Sequence, residues 1–333
     1  MVVLSQENGM SELEERKRDR IKQNNARFLL AGLPLLICGI LAVYAIPTWM
    51  RQTADVVVVY TSQDQVYAEP IFAEFTKKTG IKARVIYDSE AVKTVGLVNR
   101  LYAEKKRPQC DVFWNNEEYR TRQLADNGIV QDGWGSFGFR TRRIVVNTNL
   151  LKLADAPHRL SDLTNAVYAG KVALSYPLFG TTSTHFLVLR QRWGREHWET
   201  WCRALQANKP FVVDGNSVVV NLVGKGEAMI GMTDSDDVLA GQHDGLPVDS
   251  FVLKEDGLQI GNSVGIISDC PHPTNAKKLF EYLKSNEVLE QLRKAGAVED
   301  AKAGAGLETK IDWDEILKNQ PVALDAIKKI FLR

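Results

Sequence analysis

Three carboxylates crowd into four positions at Asp234, Asp236 and Asp237, directly behind the apolar run Ala228, Met229 and Ile230. The run reads as a buried strand that Gly231, Met232 and Thr233 carry out of its sheet, with a helix following over residues 238–242. A helix start offers unpaired N–H groups and the positive end of its dipole, so acids are favoured there. The space beyond the carboxyl end of a strand is also where open α/β sheets bind ligands. Any one of these acids alone could be a cap. Three together exceed what a cap requires and mark one wall of a binding site, with Thr233, Asp234 and Asp236 as its candidate contacts.

Other polar clusters stand at similar junctions. Gly180 opens a helix with four hydroxyls, Thr181, Thr182, Ser183 and Thr184. Backbone N–H groups at such a start favour phosphate, carbonate or carboxylate, and hydroxyls add donors without charge. No G-x-x-x-x-G-K-[ST] stretch occurs, so this is not a nucleotide loop. Asn115, Asn116, Glu117 and Glu118 follow a third strand, more polar groups than a helix start needs. Asp64 reads equally as a ligand and as the N-cap of the next helix. Arg140 and Arg142, just before a crossover strand, suit either a hinge salt bridge or an anion contact. The carboxylates of Asp64, Glu117, Asp234 and Asp236 are hard ligands for Fe³⁺, Mn²⁺, Mg²⁺ or Ca²⁺, and equally suit an organic ammonium. An anion pocket facing an acidic wall fits a zwitterion such as an aminoalkylphosphonate.

The positioning elements alternate. Strands are expected at residues 56–60, 81–87 and 111–114, with helices between them, one carrying the apolar stripe Tyr67, Ile71 and Phe75 and ending at Gly80. Strands at 144–147, 171–175, 211–213 and 228–230 with helices at 181–193, 195–205 and 217–223 form a second set. A strand at 263–267 and helices at 273–284 and 286–294 follow. Residues 313–333 read as helix, restarting at Pro321. The spacing predicts an α/β fold with mainly parallel sheets.

The chain of 333 residues is 25% charged and carries a net charge of +1, which gives no reason to expect nucleic acid. Residues 28–50 hold no charge and are long enough to span a membrane, behind a basic cluster from Arg16 to Arg27 that stays cytoplasmic. The expected order is a cytoplasmic arm (1–27), then an uncleaved anchor or a cleaved signal (28–50), with everything later at the outer face of the cytoplasmic membrane. Four cysteines lack metal spacing, and at most one disulfide is expected among Cys110, Cys202 and Cys270.

Three stretches resemble the ferric-ion-type solute-binding proteins of ABC importers. They are Val59-Tyr60-Thr61-Ser62-Gln63-Asp64, then Phe75-Thr76-Lys77-Lys78-Thr79-Gly80-Ile81-Lys82, then Asp111-Val112-Phe113-Trp114, continued by Gly215-Asn216-Ser217 and Gly226-Glu227-Ala228. The resemblance covers residue 56 to about residue 300. It implies a type II periplasmic-binding fold, with lobe 1 over 55–143, lobe 2 over 144–252, and residues 253–333 returning to lobe 1 and ending in C-terminal helices. Iron-binding members often carry a histidine where Asp64 stands, and hold an anion near Thr181, Thr182 and Asn216. They have two adjacent tyrosines where this chain has Thr233-Asp234-Ser235-Asp236. The resemblance therefore implies a monomeric binder that closes on ferric iron, with or without a synergistic anion, or on another small charged solute, and delivers it to an importer permease. An anchored ligand sensor is the alternative. Five dispersed histidines and no Ser/His/Asp set argue against an enzyme.

Overall fold

The computed structural model describes residues 55–88, 95–299, 307 and 311–332. The expected span at 28–50 lies outside them, and among the described residues no helix is long and apolar enough to cross a membrane.

The first α/β units form as their patterns dictate. The β-branched run of β1 (Val56–Thr61) lies between β2 (Lys82–Tyr87) and β3 (Val112–Asn115), parallel to both. Helices α1 (Gln65–Thr79), α2 (Val95–Glu104) and α3 (Tyr119–Asp126) make the connections. Gly80, at φ 72°, ends α1 in the left-handed conformation that a Cβ disfavours. Phe75, Leu101, Phe113 and Trp114 meet in one core.

The long strand β4 (Gly135–Asn147) then carries the chain across. Its first half pairs with β9 (Gln259–Ile266), ending at Thr141↔Gln259. From Arg142 onward it pairs with β7 (Ile230–Asp234), and from Ile144 also with β8 (Val248–Phe251). The second lobe adds β5 (Val172–Ser175), parallel to β7 and to β6 (Phe211–Val213). Helices α4 (Gly180–Trp193), α5 (Arg195–Ala207), α6 (Asn216–Gly224) and α7 (Ser235–His243) cover it. After β8 the chain returns through β9 to the first core, where α8 (Pro273–Leu283) and α9 (Asn286–Lys294) pack.

The sheet is mixed rather than mainly parallel. β9 runs antiparallel to β3 and β4, and β4 antiparallel to β7 and β8, because strands passing between lobes must run against their neighbours. Periodicity alone does not show that direction. Two boundaries also differ. Gly231, Met232 and Thr233 stay inside β7, clamped between β4 and β5, so the strand ends only at Asp234. Helix α10 (Trp313–Phe331) runs through Pro321 without restarting. Ile316 before the proline and Ala323, Ile327 and Phe331 beyond it are buried in the second core with Phe186 and Trp201. That burial offsets the cost of about 3 kcal/mol for a proline inside a helix. Cys110, Cys202 and Cys270 are buried free thiols, so no disulfide joins any two of them.

Candidate functional site

Alternate residues of a strand share a face, and on β4 this sorts the hinge chemistry. Thr141 and Arg143 turn to one side, where both bond the Glu299 carboxylate at 2.6 Å. Arg140 and Arg142 turn to the other side, each fully buried against an acid of the second lobe. Arg140 Nη1 lies 2.5 Å from Asp236 Oδ2, and Arg142 Nη1 lies 2.7 Å from Asp234 Oδ1. Burial works against the Arg140 charge, but Asp236, Asp234, Asp64 and Asp237 outweigh it and hold its pKa raised.

Asp234 is the centre of this arrangement. It occupies the N-cap position of α7, yet its side chain makes no cap bond. Its other oxygen instead accepts from the Thr181 hydroxyl at 2.6 Å and from Asn216 Nδ2 at 2.9 Å. The carboxylate thus ties together β4, the first turn of α4 and the first turn of α6. Gly231 makes the close packing possible, since a Cβ there would meet Val219 Cγ1 at 2.5 Å and the Ala173 carbonyl oxygen at 3.1 Å.

Above this brace lies a cleft of about 430 Å³, open solvent at its mouth included, lined from both lobes. Asp64 and Asn116 face it from the first lobe. Arg140 faces it from the crossover, and Ser175, Gly180, Thr181, Asn216, Asp234 and Asp237 from the second. The N-termini of α4 and α6 both open onto it, placing backbone N–H groups and two dipoles at one end. Asp64 is the N-cap of α1 by position, again with no side-chain cap bond. Tyr67 lies within electrostatic reach of Asp236, Asp64 and Asp237. Burial, with those acids adding, pushes its phenol up to about 12. Acids and tyrosine therefore gather around Arg140, while helix starts and hydroxyls gather around Thr181 and Asn216.

The expected site residues divide accordingly. Asp64, Asn116, Thr181, Asn216 and Asp234 come together on the cleft lining. Thr182, Ser183, Thr233, Asp236 and Glu117 stand off it. Thr182 points beneath the lining to Ser175, 2.7 Å away, because successive helical residues turn by about 100°. Ser183 is buried in the same turn. The Thr233 hydroxyl donates to the Asn216 carbonyl at 3.2 Å. Asp236 is held by Arg140, and Glu117 is turned toward Thr184. Ser175, Phe179, Asp214 and Asp237 belong to the lining and were not among the expected contacts. Ser175 ends β5 and Asp214 follows β6, so the carboxyl-end rule that flagged Asp234 applies to both.

Several buried nitrogens near the cleft have no partner among the described residues: Gln63 Nε2, Arg140 Nε, Arg142 Nε and Nη2, and Asn262 Nδ2. All five are nitrogens that donate, or can donate, hydrogen bonds. A site built this way favours a guest rich in acceptor oxygens.

Two lobes joined by crossover strands, with a polar cleft between them, define an extracytoplasmic solute-binding protein. The chain belongs to the bacterial extracellular solute-binding proteins, whose family model matches residues 56–298. It acts as the solute-binding component of an ABC importer and is not an enzyme. It is 25% identical over 281 residues to a putative 2-aminoethylphosphonate-binding periplasmic protein of Salmonella typhimurium, covering 76% of this chain and 80% of the relative. Its fold is similar to iron-bound HitA from Pseudomonas aeruginosa, with TM-score 0.73 and 19% identity over 83% of this chain and 99% of that one. It is also similar to AfuA from Actinobacillus pleuropneumoniae with fructose-6-phosphate bound, with TM-score 0.70 and 19% identity over 83% and 98%.

Proposed function

We propose that the cleft captures a small zwitterion with a phosphonate or phosphate head and an ammonium tail, an aminoalkylphosphonate being the representative guest. The observation that carries this reading is the pair of buried arginines. Asp234 and Asp236, the carboxylates a cation would need, each face a buried guanidinium whose leftover N–H groups seek acceptors. The head would rest on the N-termini of α4 and α6 beside Ser175 and Thr181, and the ammonium beside Asp64 and Asp237. The name of the Salmonella relative supports this assignment.

Iron is the second reading, as ferric ion with a synergistic anion. It is favoured by one measurement: ligand atoms of Asp234, Asp236 and Asp237 all lie within 4.8 Å of one another. To bind iron, Asp234 and Asp236 would have to release Arg142 and Arg140 inside the protein. That leaves two buried charges uncompensated. Tyrosines are absent from the position after β7 where iron-binding members carry them.

Titration calorimetry of 2-aminoethylphosphonate, ethylphosphonate and ferric citrate separates the two. The zwitterion reading expects tight binding of the first and at least tenfold weaker binding of the second. Tight binding of iron alone would overturn it.

The chain works as a monomer held at the outer face of the cytoplasmic membrane by residues 28–50, meeting its permease in two dimensions. Release of the protein by osmotic shock would refute the anchor. The same anchored module reporting its ligand to a partner, as a sensor, is the alternative, and uptake of labelled solute by cells distinguishes transport from sensing.

A further inference from the structure

The head-group end of the cleft is built from the second lobe alone, so its geometry does not depend on how far the lobes stand apart. Ser175 ends β5, Thr181 lies in the first turn of α4 and Asn216 opens α6. Asp214 follows β6 and stands just ahead of Gly215, the N-cap of α6. All four line the cleft. Three of these side chains are already engaged. The Thr181 hydroxyl donates to Asp234 at 2.6 Å, and Ser175 shares a bond of 2.7 Å with Thr182. Asn216 donates to Asp234 at 2.9 Å and accepts from Arg142 at 3.3 Å. Asp214 differs: it is exposed, and among the described residues it makes no hydrogen bond or ion pair.

What this end offers a guest is therefore backbone N–H groups, which donate, and one carboxylate, which only accepts. The first N–H groups of α4 and α6 have no intrahelical partner and favour an oxyanion. An acid beside them repels a fully deprotonated head. A head that keeps one proton reverses this, because its P–O–H donates to the carboxylate while its other oxygens accept from the helix starts. A phosphonate or phosphate can keep such a proton near neutral pH, the second ionisation of a phosphate monoester lying at about 6. A sulfonate carries the same single negative charge and the same shape but has no proton to give.

We propose that Asp214 is a specificity-determining residue: its carboxylate accepts the remaining proton of a monoanionic phosphonate or phosphate head and excludes sulfonates of the same shape. This rests on the zwitterion reading of the cleft and adds which form of the head is taken. A site that hydrogen-bonds a hydroxyl of its guest rejects the analogue lacking it, because its own acceptor then faces a bare oxygen. The ordinary role of an acid ahead of a helix is to offset the dipole. That role needs no place on the cleft lining and does not discriminate between two monoanions of one shape.

Titration calorimetry of the full chain with 2-aminoethylphosphonate, ethylphosphonate and 2-aminoethanesulfonate tests this. The wild type is expected to bind 2-aminoethylphosphonate at least about a hundredfold tighter than the sulfonate. In Asp214→Asn the acceptor loses its charge, and the new amide can donate to a bare oxygen. That variant is expected to bind both phosphonates about tenfold more weakly and the sulfonate more tightly than the wild type does. A gain for the sulfonate cannot come from damage to the fold. Sulfonate affinity unchanged or lowered in Asp214→Asn would overturn the proposal. So would a loss confined to 2-aminoethylphosphonate with ethylphosphonate unaffected, which would put Asp214 at the ammonium. Wild-type affinities for phosphonate and sulfonate within a few-fold of each other would overturn it while leaving the zwitterion reading in place. A wild type that binds neither would overturn both.

Discussion

Arg142 and Asp234 are directly opposite partners in the β4–β7 ladder, and their side chains meet at 2.7 Å where the chain passes from one lobe to the other. The pair makes Asp234 a brace as much as a wall. Its carboxylate fixes Thr181 and Asn216 before any solute arrives, so the ends of α4 and α6 need little rearrangement to receive an oxyanion.

Removing one member of that pair should be costly. Asp234→Ala leaves the Arg142 charge buried without its partner and is expected to lower unfolding free energy by about 3–5 kcal/mol in urea titrations. The double change Arg142→Met with Asp234→Leu should recover most of that loss. A single variant within about 1 kcal/mol of wild type would show that the pair is not the brace described.

Asp64 should read the tail of the guest and not its head. Asp64→Asn is expected to weaken 2-aminoethylphosphonate by about tenfold or more, which is about 1.4 kcal/mol. Inorganic phosphate, lacking an ammonium, should bind no worse than to the wild type. Calorimetry in which both ligands weaken equally would remove Asp64 from the ammonium end.

Gly231 should tolerate no side chain. The Cβ of Gly231→Ala would press on Val219 and on the Ala173 carbonyl, backbone that cannot move aside. A loss of about 1–3 kcal/mol is expected on denaturation, with solute affinity falling as α6 is displaced. Wild-type stability would contradict the packing.

His185 should make the fold acid-sensitive. Its Nε2 lies 2.6 Å from the Asp256 carbonyl, and burial, with Arg142 and Arg192 nearby, pushes its pKa down to about 3 from 6.5. The folded value lies below the unfolded one, so the unfolded chain takes the proton first. Stability is lost as pH falls below 6.5, by up to about 1.4 kcal/mol per unit. His185→Gln should lose less between pH 7 and 5 than the wild type. Parallel stability curves would contradict this.

The lobes were legible because β-branched runs such as that of β1 alternate with helical stripes such as Tyr67, Ile71 and Phe75. The cleft was legible in part because Asp64, Asn116, Thr181, Asn216 and Asp234 all sit just beyond strands or at helix starts. Strand direction was not, since an antiparallel crossover and a parallel strand share one composition. The arginine pairs show a similar limit. Arg140 and Arg142 offered either an anion contact or a hinge salt bridge, and the salt bridges became visible only in the fold, where the β4–β7 register sets Arg142 opposite Asp234 and Arg140 meets Asp236 just beyond that ladder. Glu117 followed the same polar pattern as Asn116, but adjacent residues diverge at a turn, and one faces the cleft while its neighbour faces Thr184.

Native mass spectrometry of the full chain loaded with 2-aminoethylphosphonate in the presence of ferric citrate, with metal analysis of the same sample, bears most directly on the cleft. The account expects one phosphonate per chain and iron far below one equivalent, with Arg140 and Arg142 still facing their acids. One iron per chain, with the phosphonate excluded or present only alongside it, would contradict it.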